Sequence, residues 1–182
     1  LVKTKLLVRS TQDPVQARNH FEAALRNGAY LQEEVARYGY ALALTESGAF
    51  EKGRIELQKL TADYPTLVSF HIAAGQLEHR AVDFERSLDH FERAFELEPE
   101  NRAAVYGYIN GLLLVDRPDE AKKLLRSYGL SDRRDPKFYK MLAEAEIKLG
   151  EKANSHHSLA EYYLSLGEVP HAAEQLRLAR AT

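Results

Sequence analysis

The sequence predicts an all-α fold of stacked antiparallel helix pairs, because matching residues recur at a constant distance along the chain. Pro65 and Pro99 are thirty-four positions apart, and the same interval separates Phe50 from Phe84. A fixed period of this length, with aromatic, small and proline positions in phase, is typical of repeated helix–turn–helix units. No segment has the alternating pattern of a β-strand. We therefore expect a solenoid of about eleven antiparallel helices that forms a curved superhelix.

Four copies of the unit follow one another at this repeat period. Each is predicted from small residues where its two helices cross and large residues that fill the groove beside the crossing. The copy at 1–31 supplies Ala17, Phe21 and Ala24, and the copy at 34–67 supplies Ala41, Leu44, Gly48, Phe50, Gly53, Leu57 and Leu60. The copy at 68–101 supplies Gly75, Phe84, Ser87, Phe91, Ala94 and Pro99. The copy at 102–135 supplies Leu112, Pro118, Ala121 and Leu125, and its closing proline, Pro136, comes three residues late.

The end of the chain, residues 136–182, departs from the period. One copy begins at Leu142, and a second begins at Leu159, only half a period later. We therefore predict that the helix at 152–166 closes one unit and opens the next, so that 1–182 form a single domain. The predicted helices are residues 1–11, 13–27, 32–47, 50–63, 67–80, 84–97, 101–115, 118–128, 136–149, 152–166 and 169–181.

Composition limits the possible functions. A hydrophobic content of 45% with 29% charged residues describes a folded globular chain. The net charge of −2 gives no electrostatic case for nucleic acid binding. Arg133 and Arg134 lie in a local basic cluster, but interleaved aspartates favour a solvated loop there. Cysteine is absent, which excludes a disulfide framework, and no apolar run approaches the roughly 18 residues of a membrane span.

Catalytic and metal sites find little support in the sequence. There is no H-E-x-x-H zinc motif, no G-x-S-x-G elbow and no phosphate-binding loop. His157 with Glu161, and His71 with His79, have helical spacing that could place two ligands together. Two ligands make a poor metal site, so we favour solvated side chains or hydrogen bonding within the stack. We expect no catalytic residue, no metal and no cofactor in this segment.

The repeat resembles the tetratricopeptide repeat (TPR), in which the first helix of each pair lines a concave groove. Its second, fifth, ninth and twelfth positions face inward in that family. The matching positions, which we call the groove residues, are Tyr38, Leu42, Ile72, Gln76, His79, Tyr106, Asn110, Lys140 and Glu144. Their mixture suits an extended or helical peptide, and Tyr38 and Tyr106 are the strongest candidates because their hydroxyls need a polar outlet. For each, the alternative is packing within the stack.

The final third of the chain has a more specific resemblance. Residues 135–145 (DPKFYKMLAEA), 149–153 (LGEKA), 159–168 (LAEYYLSLGE) and 172–179 (AAEQLRLA) are similar to the C-terminal TPR domain of BepA-like (YfgC-like) peptidases of the M48 metalloprotease family. Residues 2–8 resemble the helix that follows the peptidase domain there. The chain opens on Leu1 inside a predicted helix, so we expect it to be a piece of a longer protein.

The resemblance implies a non-catalytic interaction domain of a periplasmic zinc metalloprotease and chaperone. Such a domain would engage substrate, its own peptidase domain or outer-membrane assembly partners, and the zinc and its H-E-x-x-H motif would lie upstream of Leu1. The alternative is a free-standing TPR scaffold or assembly lipoprotein with no enzyme attached. A hydrolytic site around His156 and His157 is a third possibility that metal analysis would test.

Overall fold

The computed structural model describes residues 1–11, 13–128 and 135–182 of the chain. These residues form eleven α-helices and no strand, which confirms the predicted fold class for the described part of the chain. The basic cluster at Arg133 and Arg134 lies outside the described residues. The helices are α1 (Val2–Ser10), α2 (Pro14–Asn27), α3 (Glu33–Glu46), α4 (Phe50–Asp63), α5 (Val68–Arg80), α6 (Phe84–Leu97), α7 (Arg102–Leu114), α8 (Pro118–Tyr128), α9 (Pro136–Lys148), α10 (Lys152–Ser165) and α11 (Val169–Ala181).

Proline and aspartate begin two helices as the sequence predicts. The carboxylate of Asp13 accepts a hydrogen bond from the backbone N–H of Val15, at 2.8 Å, and Pro14 takes the first helical position of α2. Asp135 caps α9 in the same way through the N–H of Lys137, at 2.9 Å. Each cap satisfies a backbone donor that the helix itself leaves free.

The chain divides into two compact units, Leu1–Tyr108 and Ile109–Thr182. We call them the N-terminal unit and the C-terminal unit. The predicted division of 1–182 into repeats, with a shared helix at 152–166, stays a prediction.

Consecutive helices from α2 to α6 pack against each other in the N-terminal unit, and α3 also contacts α5. Phe70 is completely buried in the core, and its ring lies 5.4 Å from that of Tyr38. Leu44, Leu57, Leu60 and Leu77 are also completely buried. This burial of apolar area is the main force that holds neighbouring pairs together, because one pair cannot enclose its own apolar face.

Glycine allows the helices of the N-terminal unit to approach closely around one aromatic ring. A Cβ atom placed on Gly75 would lie 2.8 Å from the ring of Phe91, and one placed on Gly107 would lie 2.1 Å from it. Real Cβ atoms do not come so close to another atom. The ring of Phe91 therefore lies between α5 and α7 at two positions where only glycine fits.

The turns that join the helices of a pair share a left-handed backbone at positions one repeat period apart. Gly48 and Gly150 have φ angles of 76° and 75° there, a conformation that glycine adopts without strain. Val82 and Asp116 occupy the two intervening turns with φ angles of 62° and 59°. For a β-branched residue such as valine this conformation is an outlier, so the turn at Val82 is strained.

The C-terminal unit contains successive packing contacts of α8 with α9, α9 with α10 and α10 with α11. Small residues dominate the later contacts, since Ala143, Ala145, Ala160 and Ala172 are all buried. No helix in the described ranges is long and apolar enough to cross a lipid bilayer.

Candidate peptide-binding groove

Four of the groove residues in the N-terminal unit are buried. Tyr38, Leu42, Ile72 and Tyr106 expose 3%, 9%, 6% and 7% of their surfaces. These four side chains therefore pack mainly within the stack, which is the alternative to a role in ligand binding. Tyr38 and Leu42 belong to one core cluster and Ile72 to another, and little of either tyrosine is available to a ligand.

The two tyrosines are held in different surroundings. Burial raises the pKa of the Tyr38 phenol to about 12, while the nearby cation Arg9 acts weakly in the opposite direction. The phenol is therefore neutral at all physiological pH values. The guanidinium carbon of Arg102 lies 5.9 Å from the centre of the Tyr106 ring, a cation–π contact that covers one face of it.

The remaining groove residues of this unit are more accessible. Gln76 is half-buried on α5, and His79, one helical turn later, is exposed beside Phe84, with the two ring centres 5.7 Å apart. Leu42 and Gln76 line the same small cavity, of about 20 Å³. The structure thus brings two predicted groove residues together, Leu42 and Gln76. His79 lies one helical turn from Gln76 on α5.

Other residues around this cavity were not predicted from the sequence. Its walls also include Glu46 at the end of α3 and the side chains of Lys5, Val8 and Arg9 from α1. Glu46 accepts a hydrogen bond from Arg80 Nη1 at 2.6 Å. Val8 lies one repeat period before Leu42, so the period itself was the signal that could have identified it.

In the C-terminal unit, the structure places Lys140 and Glu144 on one face of α9, a helical turn apart, and both are exposed. Asn110 is half-buried on α7. These side chains can offer a cation, a carboxylate and an amide to a ligand. The assignment of all nine groove residues to binding remains a prediction.

The sequence pattern does not indicate two carboxylates that the structure buries. Glu78 exposes 2% of its surface, and Arg54 donates to it through Nε and Nη2 at 2.7 Å each. Glu146, two periods later, exposes 3%, and the hydroxyl of Ser158 donates to it at 2.7 Å. Both are satisfied within the stack, so we interpret them as structural groups.

The histidine pairs considered as metal ligands have other partners or surroundings. His71 Nε2–H donates to the carbonyl oxygen of Pro65 at 2.9 Å, and this residue is buried while His79 is exposed. His157 and Glu161 are both exposed on α10. In the part of the chain that the structure describes, no group of three or more potential ligands is close enough to hold a metal ion.

Part of the chain matches one protein-family model. Residues 73–145 match the tetratricopeptide repeat. This range includes α6, α7 and α8, and it contains the groove residues Gln76, His79, Tyr106, Asn110, Lys140 and Glu144.

A curated relative matches most of this chain. It is the β-barrel assembly-enhancing protease of Escherichia coli (strain K12), 25% identical over 152 residues, a match that covers 84% of this chain and 31% of the protease. The same protease of Shigella flexneri matches equally well. This chain therefore spans about a third of the length of the curated relatives it matches.

Solved structures resemble the fold at low sequence identity. YrrB, described as a TPR protein with an unusual peptide-binding site, gives a TM-score of 0.74 at 14% identity, covering 94% of this chain and 88% of that one. A TPR protein from Parabacteroides merdae gives 0.65 at 16% identity, covering 97% and 75%. The family model thus matches a tetratricopeptide repeat at 73–145, and the solved neighbours share the stacked-helix fold of this chain.

Proposed function

We propose that this chain is the non-catalytic interaction domain of a periplasmic zinc metalloprotease and chaperone. It would engage substrate or outer-membrane assembly partners through the groove residues. One observation carries the proposal: Gln76 and His79 remain accessible on α5 beside the buried side chains of Leu42 and Ile72. Apolar side chains with a few polar groups beside them suit a bound peptide, since the apolar groups supply burial and the polar groups fix orientation.

The metalloprotease parent is supported by the match to the E. coli protease, which covers 84% of this chain. The name of that relative joins proteolysis to β-barrel assembly, and this favours a periplasmic location and outer-membrane partners. Under this proposal the zinc and its H-E-x-x-H motif belong to a peptidase domain upstream of Leu1, and this segment needs no cofactor.

The second candidate is a free-standing TPR scaffold or assembly lipoprotein. It is favoured by the solved neighbours, because this chain covers 88% of YrrB and 75% of the Parabacteroides protein, and both are described as TPR proteins with no mention of a protease. Reading the coding sequence upstream of Leu1 separates the two candidates. An H-E-x-x-H motif supports the protease parent, whereas a signal sequence or lipobox cysteine directly before Leu1 supports the scaffold.

Site-specific photocrosslinking tests the binding role. A photoreactive amino acid at His79, exposed on α5, is compared with one at Ile55, which is 51% exposed on α4. In cells that assemble outer-membrane proteins, we expect the probe at His79 to crosslink an outer-membrane β-barrel protein or a component of its assembly machinery. Equal crosslinking from Ile55, or none from either position, would contradict the groove as the binding surface.

A further inference from the structure

The first helix of the chain does not pair with the second in the way that later helices pair. α1 packs mainly against α3 and makes few contacts with α2, whereas α5 and α6 pack along their lengths. Between α1 and α2 there is instead a cavity of about 290 Å³, whose lining includes Leu7, Ala17 and Phe21. α1 is therefore attached to the N-terminal unit through α3.

Comparison with positions one repeat period later identifies the side of α1 that contacts α3. Leu7 and Ser10 lie one repeat period before Ala41 and Leu44, which are fully buried in the core. Leu7 nevertheless exposes 48% of its surface, and Ser10 is exposed as well. In a regular repeat, this side of α1 would be buried against α2. Here it faces solvent or the cavity between α1 and α2.

The buried side of α1 is the one that corresponds to groove positions. Thr4 and Val8 expose 8% and 3%, and they lie one repeat period before Tyr38 and Leu42. Val8 belongs to the same core cluster as those two groove residues. Together with Lys5 and Arg9, Val8 also lines the small cavity that contains Leu42, Glu46 and Gln76. α1 therefore covers the part of the groove that α3 provides.

The attachment of α1 is apolar and limited. Among the described residues, no side-chain hydrogen bond or ion pair joins α1 to another helix. Leu1 provides no side-chain cap at its start. An isolated helix of this length is marginal in water, so its order depends on this contact. Such a segment can be replaced by another that presents the same chemistry.

We propose that α1 occupies the groove in place of a partner, and that the partner is a short amphipathic helix of similar chemistry. This inference rests on the proposed function and specifies its ligand. The partner would carry small or β-branched residues one helical turn apart, as Thr4 and Val8 are. A basic residue would follow each of them, as Lys5 and Arg9 do, which line the same small cavity as Glu46. Binding of the partner would release α1.

The test uses the full chain and a labelled synthetic peptide with the sequence of residues 1–11. Val8→Asp places a charge on the buried side of α1 and should detach it. Leu6→Asp makes the same change on the same helix at a side chain that is 61% exposed, and serves as the control. We expect the peptide to bind the Val8→Asp chain at least tenfold more tightly than the wild-type or Leu6→Asp chains. Amides 6–10 should exchange hydrogen at least tenfold faster in Val8→Asp, with α3 and α5 unchanged.

Equal binding of the peptide to all three chains, or binding to none, overturns the proposal. Faster exchange throughout α3 and α5 also overturns it, because α1 would then be an integral part of the core. Val8→Ala, a milder change with the same expected directions, replaces Val8→Asp if that chain does not fold. If the peptide fails to bind while His79 still crosslinks a partner, only this inference fails. If the peptide binds and His79 crosslinks nothing, the proposed function fails.

Discussion

Arg54 contacts a buried and an exposed carboxylate at the same time, so it allows a direct comparison of the two environments. The side chain of Glu78 is 3% exposed and that of Glu51 is 85% exposed. A charge pair in water gains little, because solvent screens it and both side chains lose freedom. A buried charge that loses its partner is left without solvation, which is costly.

We therefore expect Glu78→Ala to lower the free energy of unfolding by roughly 3–5 kcal/mol. Glu51→Ala, which removes the exposed partner of the same guanidinium, should change it by less than about 1 kcal/mol. Urea denaturation of the two variants measures both values. Similar losses in the two variants would show that burial does not determine the strength of this pair.

A substitution in the strained turn at Val82 should raise the free energy of unfolding, unlike the two substitutions above. Its left-handed φ angle of 62° costs a β-branched residue roughly 1–2 kcal/mol relative to glycine. The side chain is 70% exposed, so its removal sacrifices little packing. We expect Val82→Gly to raise the free energy of unfolding by about 1 kcal/mol, after allowance for the greater flexibility of unfolded glycine.

Asp116 provides a control for this substitution, and its carboxylate also accepts a hydrogen bond from Lys148 Nζ at 3.0 Å. It has nearly the same φ angle, 59°, but aspartate tolerates the left-handed region better than valine does. Asp116→Gly should therefore raise the free energy of unfolding less than Val82→Gly. A destabilised Val82→Gly variant would mean that the valine makes contacts that outweigh its backbone strain.

Glu146 should make the stability of the chain depend on pH. Burial raises the pKa of its carboxyl above the ordinary value of 4.5, against smaller opposite effects of Ser158 and Lys122. Because the folded state holds this proton more tightly than the unfolded state, the carboxyl contributes more stability as the pH falls through its folded pKa. At neutral pH, its ionised form opposes folding.

The isosteric change Glu146→Gln removes this titration and keeps an acceptor for Ser158. We expect the variant to be more stable than the wild type at pH 7. The advantage should shrink as the pH falls toward 4.5, where the wild-type carboxyl becomes neutral. Thermal unfolding across this pH range measures the difference, and a variant that is less stable at pH 7 would contradict the assignment.

At the scale of the helices, Phe91 is the contact on which packing in the N-terminal unit depends most clearly. Its ring lies against Gly75 on one helix and Gly107 on another, so it cannot move away from either without meeting the other. Gly107→Ala improves helix propensity by about 1 kcal/mol, but its new methyl group would overlap the ring. Overpacking of a rigid site costs about 1–3 kcal/mol.

We expect this overlap to outweigh the gain in propensity, so Gly107→Ala should lower the melting temperature. Phe91→Leu makes room for the methyl group and serves as the control. In the Phe91→Leu background, Gly107→Ala should become neutral or stabilising. An identical loss in both backgrounds would place the cause elsewhere than at the ring.

The repeat period predicted the helices well, since it reports the small and large positions that every pair needs. It did not predict that charged side chains take positions in some copies that leucine takes in another. One such position lies in the second helix of each copy, and another lies in the first helix of the following copy. Along the chain, this pair of positions holds charged residues, then two leucines, then charged residues again. These are Arg54 and Glu78, Leu88 and Leu112, and Lys122 and Glu146. An ion pair and two leucines both satisfy a buried position, so the period alone cannot distinguish them.

The candidate site was less predictable than the helices. The register places Tyr38 and Tyr106 on the groove side of their helices, but it carries no information about which neighbours cover them. Tyr38 lies in a core that includes Val8 of α1, and the rotation of α1 away from its regular register could not be inferred from the period. The burial of a side chain depends on contacts between segments that are distant in sequence. The repeat period indicates only the face of the helix on which a residue lies.

At the scale of the molecule, the fold presents similar helix faces in each copy. The accessible polar groups on these faces determine which ligands can bind. Residues 73–145 match the tetratricopeptide repeat. The proposed binding surface of the N-terminal unit lies on α3 and α5, which carry Leu42, Gln76 and His79.

The most direct test of this account is a hydrogen-exchange footprint on the full chain. An unfolded outer-membrane β-barrel protein, kept soluble in urea and diluted into the chain, serves as the partner. Binding should slow amide exchange in α3 and α5 around Leu42, Gln76 and His79 and leave α4 around Ile55 unchanged. Protection confined to α4 and α6, with none on α3 or α5, would contradict the claim that the first helix of each pair carries the binding surface.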